Sequence, residues 1–419
     1  MHARRHRVFQ DGSAYRADEC IPPRARREFK RSRQPVRYRA TLRARGQHPR
    51  LRRLFSRRSA IASGRDDRRS GTRLRASFEA QQQGLAHAVI VAYEASLRIG
   101  AMLCPSDDAP SKDIGYASWQ IFGAFIAAGM LLELDRAQWL QGFGLAAQQA
   151  PMPMIVRANP GGGYTWLKNG YGAAASAGVM SAYLAKEGFI GDQHFFSDAF
   201  GFRHLYGSDR IRPELLRTVP GDDWWIRRVE FKQWACCRWS HPAIEAALDM
   251  KPSLDVNAIA RIDIHSFREF VDTLDSPFPT NLVDAQFNVR FLVACALLTD
   301  DINAALREPD FESAAIRSLF AKIDVHHEPA FDLQHRSDMS IPTRVVITLD
   351  DSTEHSALLS EPPGSIRREA VLMEHTEAKF RATLDPLIGT QAASNARDIV
   401  MHPEAHSASD LMHALFPAT

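Results

Sequence analysis

Apolar positions fall into a regular pattern only from about Gly84 onward. Ala86 to Met102 is mostly apolar, with Glu94 and Arg98 four positions apart, which predicts a packed helix with one polar edge. Cys104-Pro105 and the polar run from Ser106 to Asp113 end it. Trp119 to Leu134 is rich in Ala, Gly and long aliphatic residues and predicts a buried helix that its neighbours approach closely. Its apolar run of about 14 residues is short of the roughly 20 needed to cross a bilayer. Further helices are predicted from Arg136 to Gln149 and from Gly172 to Lys186, the latter with Gly188 as its C-cap. No signal-peptide core or membrane span is expected, so this body reads as a soluble, cytoplasmic protein.

After Leu248 the pattern changes to alternating strands and helices. Ile259 to His265 alternates as a half-buried strand does, Val289 to Leu298 reads as a helix, Ile323 to Val325 as a short strand and Arg344 to Leu349 as another. Helical spacing returns at Glu374 to Leu384 and in a short amphipathic stretch from Ser407 to Leu415. The expected fold is therefore mainly α: a helical domain over residues 84–229, a smaller α+β lid domain over 230–385, and C-terminal helices over 386–419. These last helices return to the helical domain and make it discontinuous.

Charge divides the chain differently. The first 80 residues hold 24 basic residues against 7 acidic ones, so this arm carries about +17 and the remainder about −14 of the formal net +3. Repeated pairs such as Arg26-Arg27, Arg52-Arg53, Arg57-Arg58 and Arg68-Arg69, few aliphatic residues and no sustained period leave too little apolar surface to offset the entropy of ordering. Residues 1–83 are expected to be a disordered or loosely attached arm. Four origins compete: a transit peptide, a phosphate-binding arm, a solvated tail, or translation from the wrong frame or a misplaced start in a GC-rich gene. The last is favoured, and nucleic acid is not the expected partner.

Candidate chemistry concentrates in Val229 to Leu248, which reads as a strand, a tight cysteine-containing turn and a helix start. Ile244, Ala247 and Leu248 recur at helical spacing after Pro242, which places His241 at the helix N-cap. A helix N-terminus disfavours imidazolium, so a histidine there stays neutral and can accept a proton. Lys232 and Arg238 are close enough in sequence for a turn to bring all three groups to one carboxylate. Spacing alone favours the plainer reading, in which Lys232 and Arg238 are solvated flanks and His241 only caps the helix. A second candidate is Asn159 to Gly170, where three consecutive glycines and Lys168 precede a helix and form either an anion cradle or an ordinary surface loop. His326-His327 is a poor chelator because neighbours on a strand point to opposite faces. Five cysteines, only two of them adjacent, show neither zinc spacing nor a disulfide framework, and reduced thiols are expected.

The run Phe231-Lys232 through Cys236-Cys237-Arg238-Trp239-Ser240-His241 resembles the hallmark of the MmgE/PrpD family, which includes 2-methylcitrate dehydratase and cis-aconitate decarboxylase. The resemblance continues in Gly123 to Gln149, Tyr171 to Gly191, Phe200 to Tyr206 and Asp284 to Phe291. It implies an all-helical main domain with a smaller second domain, a homodimer, and an interdomain site in which His241 and Lys232 are catalytic. Lys168, Arg238 and Cys237 are the implied substrate-binding residues. Two family features are missing. The arm has no acidic cluster ahead of its single His-Pro, His48-Pro49, and the segment from Asp113 to Ser118 has no histidine, leaving Tyr116 or Ser118 as substitute donors.

These observations point to a metal-independent, cofactor-free lyase that dehydrates a small tricarboxylate such as 2-methylcitrate. A cis-aconitate-type decarboxylase and a diacid epimerase use similar parts, and a non-catalytic remnant without the N-terminal half-site is the rival.

Overall fold

The computed structural model describes residues 82–106, 116–151, 166–197, 201–206, 208–217, 224–299, 301–403 and 405–416. By contacts the chain divides into residues 1–69 and 70–419, and all described residues belong to the second unit. The Arg-rich arm, His48-Pro49 and the three consecutive glycines Gly161, Gly162 and Gly163 lie outside them.

Four helices build the first core: α1 (Gln82–Met102), α2 (Tyr116–Leu131), α3 (Arg136–Gln148) and α4 (Trp166–Lys186). They match the predicted helices to within a few residues at each end, except that α4 begins six residues before Gly172. Phe122, Phe125, Ile121 and Ala146 are fully buried between them, and Phe125 meets Trp139 and Phe143 edge-on. The small residues allow the close approach expected. A Cβ on Gly178 of α4 would lie 2.5 Å from the Ile121 carbonyl oxygen of α2. Gly188, with φ near +80°, closes α4.

The predicted polar edge of α1 is instead buried. Glu94 and Arg98 pair at 2.7 Å, and the other Glu94 oxygen accepts the main-chain N–H of Trp225 at 2.6 Å. Arg98 also donates to the Leu215 carbonyl at 3.1 Å and lies over the Trp225 ring. Against expectation, Gly84–Met102 is long and apolar enough to cross a bilayer by length and composition. The buried Glu94–Arg98 pair, satisfied by protein groups, suits a packed helix of a folded domain.

The second core surrounds α5 (His241–Met250) and α6 (Val289–Leu298), which pack on each other and on a four-stranded sheet. The strands are β1 (Ile259–Ser266), β2 (Ile323–His327), β3 (Thr343–Leu349) and β4 (Glu354–Leu359), in the order β2-β1-β3-β4. β1 runs parallel to β2 and antiparallel to β3, and β3 pairs antiparallel with β4. Ile262, Ile264, Val345 and Ile347 point into the core. β4 was not predicted: it is an edge strand, and Glu354-His355-Ser356-Ala357-Leu358-Leu359 lacks the apolar alternation of a strand packed on one face. The helix Pro329–Asp338, opened by its proline, escaped for a similar reason, since its composition is mostly polar.

Three helices end the chain: α7 (Glu369–Ile388), α8 (Thr390–Met401) and α9 (Ala408–Leu415). Their main packing is α7 on α8 and α8 on α9 rather than on the first four helices. The start of α7 is tied to α5, because Arg368 donates to both oxygens of Glu245 at 2.6 and 2.7 Å.

The turn before α7 has a steric constraint. Gly364 has φ +85°, its carbonyl accepts the Phe231 N–H at 3.0 Å, and a Cβ there would lie 1.8 Å from the Phe231 carbonyl oxygen. Gly364→Ala combines a left-handed backbone with a collision against main chain. We expect it to destabilise the protein by at least about 2 kcal/mol in urea denaturation, whereas Gly172→Ala, which meets nothing within 4 Å, stays within about 0.5 kcal/mol.

Candidate active site

Residues 229–240 form a strap rather than the predicted strand. Val229 to Lys232 is extended but has no strand beside it, and the chain continues through bends into a single 3-10 turn, Arg238–Ser240. Its main-chain groups are met by scattered partners. Phe231 donates to Gly364, the Asn303 side chain accepts from Ala235 at 3.0 Å and donates to the Gln233 carbonyl at 3.2 Å, and Cys237 donates to the Gln286 carbonyl at 2.8 Å. Buried backbone must find such partners, and here a loop, a side chain and a helix end supply them.

α5 begins directly after this strap. The N-cap is Ser240, so His241 is the first helical residue rather than the cap, with Pro242 following it. The difference of one residue matters. At the cap the imidazole would fold back over the helix end, whereas at the first helical position it is carried inside and is 0% exposed. Trp234 packs against it at a 5.0 Å ring separation. No side chain among the described residues bonds to Nδ1 or Nε2, whose one polar neighbour there is the Trp234 main chain, and Ser240 Oγ and Arg238 Nε are buried without a partner.

Burial, followed by the charges of Lys232 and Arg238 and then of Lys379, pushes the His241 pKa down to about 3, while the Trp234 main chain acts weakly the other way. The ring is therefore neutral at physiological pH. The sequence argument reached the same charge state from the helix dipole, but desolvation is the larger cause.

The three cations are not equivalent. Arg238 is ion-paired with Glu230, whose other oxygen is 3.0 Å from the Ser365 hydroxyl. Its charge is largely answered within the protein. Lys232 donates to the Cys236 carbonyl at 3.1 Å, and Lys379 from α7 donates to the Lys232 carbonyl. Among the described residues neither ammonium has a carboxylate partner. Burial and then the charge of Lys232 lower the Lys379 pKa.

Sequence reasoning missed Lys379, and with it Asn303 and Gly364. The signal available for Lys379 was weak: a lysine four residues after His375 in a helical stretch, far along the chain from the cysteine motif. Cys237, expected to touch substrate, packs beside the second core and anchors the strap through its N–H. Lys168 is the third residue of α4, and its side chain, like that of Tyr116, lies outside the described residues. The Ser118 hydroxyl, the other substitute donor, is buried and donates to the Pro151 carbonyl at 2.7 Å.

His326 and His327 diverge as adjacent strand residues should. His326 pairs with Asp263 at 2.7 Å and His327 with Asp332 at 2.9 Å. Among the described residues no three His, Cys, Asp or Glu side chains form a metal-ligand set. Cys104, Cys236, Cys237 and Cys295 are thiols rather than disulfides.

The chain matches the MmgE/PrpD N-terminal domain over residues 65–213 and the MmgE/PrpD C-terminal domain over residues 234–404. The first match starts inside the stretch read as an arm, so family-like sequence begins ahead of Gly84. The chain is also similar to the cis-aconitate decarboxylase-like protein oryM of Aspergillus oryzae, with 24% identity over 298 residues, 66% of this chain and 60% of that protein. It thus spans less than two thirds of the length of this relative.

The buried imidazole makes stability depend on pH. Its folded pKa of about 3 lies below the unfolded value of about 6.5, so the unfolded chain binds more protons between these limits. The contribution is unchanged above about pH 6.5 and is lost on acidification at up to about 1.4 kcal/mol per pH unit. Urea denaturation at pH 7 and pH 5 is expected to show a loss about 2 kcal/mol larger for the wild type than for His241→Gln.

Proposed function

The chain belongs to the MmgE/PrpD family, and on that footing we propose that it is a lyase of small polycarboxylates in which His241 removes a carbon-bound proton. The observation that carries this reading is the buried imidazole of His241, with no side-chain partner for either ring nitrogen, beside two ammonium groups that pair with no carboxylate among the described residues. A structural histidine normally spends at least one ring nitrogen on a fixed partner. One without a side-chain partner, in a field of cations, suits a site completed by an anionic ligand.

The same geometry relates ligand charge to base strength. By themselves the cations and the low dielectric make His241 a weak proton acceptor. A polycarboxylate bound at Lys232 and Lys379 brings negative charge to the ring, offsets the cationic field and raises its basicity. Desolvation, the largest cause, remains. A proper substrate thus strengthens the base that attacks it, and a monocarboxylate does so less.

In a dehydration, Nδ1 or Nε2 of His241 takes the proton on the carbon next to a carboxylate, and that C–H pair forms the double bond as the C–O bond to the neighbouring hydroxyl breaks. Charge developing on the carboxylate is held by the ammonium groups. The proton finally departs with hydroxide as water, and the neutral imidazole is restored. The route draws only on side chains. A tricarboxylate such as 2-methylcitrate has the required hydroxyl beside an acidic C–H, and it heads the proposal.

A second reading is favoured by the similarity to a cis-aconitate decarboxylase-like protein. There a C–C bond breaks, carbon dioxide leaves, and the electron pair left on carbon takes a proton. The same cations serve both reactions. Cytoplasmic location and homodimer assembly belong to this proposal too, and Val89, Ile90 and Tyr93 on α1 with Val179 and Tyr183 on α4 are exposed apolar side chains that a second copy would cover.

Supplying 2-methylcitrate, citrate and cis-aconitate separately and following unsaturated acid and carbon dioxide by NMR and mass spectrometry tests the reading. We expect turnover of at least one of them, reduced at least about 100-fold by His241→Gln. Water release identifies a dehydratase and carbon dioxide a decarboxylase. Unchanged substrates with the wild-type protein would overturn the lyase assignment in favour of a non-catalytic remnant.

A further inference from the structure

Resting on the reading above, we infer that Lys379 of α7 binds a substrate carboxylate directly, and that together with Lys232 it makes the site select ligands with at least two carboxylates. Three observations converge on this.

The first is position. Lys379 donates to the main-chain oxygen of Lys232, so its ammonium stands against the strap that leads to His241. The contact joins two segments that are far apart in sequence, and no local helical or turn preference accounts for it. Its charge is felt at the His241 ring along with those of Lys232 and Arg238.

The second is unanswered charge. Among the described residues Glu230 pairs with Arg238, Glu361 with Arg367 and Glu245 with Arg368, so these carboxylates are already committed. The two lysines spend donors only on carbonyl oxygens. An ammonium has three donors, and two like charges held near each other are unfavourable unless an anion joins them. A di- or tricarboxylate supplies that anion and can give one carboxylate to each lysine.

The third is the set of open polar atoms around them. Arg238 Nε, Ser240 Oγ and both His241 ring nitrogens are buried without side-chain partners. His375, one helical turn before Lys379 and so on the same side of α7, has its Nδ1 buried and unpartnered as well. Buried polar atoms without partners are uncommon in folded proteins, and their presence on three residues within one turn, Arg238, Ser240 and His241, suits a place where a polar ligand completes the bonding.

α7 holds Lys379 in place from its other side. Glu377 accepts from Arg381 at 3.2 Å and from Arg397 of α8 at 2.5 Å, and Arg381 donates to Ser394 at 2.7 Å. Arg368 fixes the start of α7 to the helix that carries His241. The lysine is thus presented by an element braced at both ends, which favours recognition of a ligand of fixed length.

The test uses tricarballylate, a saturated tricarboxylate with no hydroxyl to lose, and propionate, both titrated calorimetrically into the full-length chain. The wild type is expected to bind tricarballylate at least about 10-fold more tightly than propionate. Lys379→Met is expected to weaken tricarballylate about 10- to 100-fold and propionate less than about 3-fold, since one charge-assisted contact is lost only by the longer ligand. Lys379→Arg retains most of the affinity, and Glu374→Gln, at an exposed position of the same helix, leaves it unchanged. Should Lys379→Met fail to fold, acetylation of the wild type with acetic anhydride gives a second readout by mass spectrometry, in which tricarballylate protects Lys379. Equal tricarballylate affinity in a folded Lys379→Met, or equal labelling with and without tricarballylate, overturns this inference and leaves the lyase reading standing. Absence of tricarballylate binding to the wild type overturns both.

Discussion

The candidate site depends on how one irregular strap of backbone meets its hydrogen-bond requirements. Residues 229–240 make no sheet ladder and only one 3-10 turn, yet they run from the surface to a fully buried histidine. Their amide groups are met by Gly364, Asn303 and Gln286, which come from three different parts of the chain. Each support fixes a different stretch. Gly364 sets Phe231 and hence the start of Lys232, Asn303 holds the bend at Gln233 to Ala235, and Gln286 anchors Cys237 before the turn into α5. A regular strand would have pointed Lys232 and His241 according to its own pleat. The strap lets the second core and the α7 turn decide where they point.

That arrangement places opposing electrostatic demands on one spot. Burying an imidazole favours its neutral form, and setting cations around it favours that form further. The cations in turn repel each other, and among the described residues only Arg238 of the three pairs with a carboxylate. The elements that carry them are fixed by the Arg368–Glu245 pair, the Glu377 cluster and the sheet. Such concentrations of unsatisfied polar groups are uncommon in structural cores and common where a ligand completes the bonding.

The two sequence blocks that carry the family resemblance in the second half of the chain are physically one unit. Asp284 to Phe291 supplies the Gln286 carbonyl that holds Cys237, and Asn288 caps α6 by accepting from Phe291 at 3.0 Å. The Asn288 amide then bonds to the Ser276 and Pro277 carbonyls at 3.0 and 2.8 Å. The cysteine motif is thereby fixed to the helix at the centre of the second core. The adjacent cysteines serve this anchoring, with Cys236 buried and Cys237 tied through its amide.

Local pattern by itself determined the main helices, three of the four strands, the change of character after Leu248 and the neutral state of His241. Those features follow from periodicity, breakers and capping preference, which act over a few neighbouring residues. Family resemblance singled out Lys232 and His241, and the fold brings both to the same strap. Only the tertiary structure decided that the Glu94–Arg98 edge is buried, that Glu230 claims Arg238, that Cys237 is an anchor and that the strap is no strand. It also brought Lys379 to the site from far along the chain. The physical reason is common to all of these: they depend on which partner a polar group finds across the fold, and hydrogen bonds and ion pairs between distant segments leave no period in the sequence.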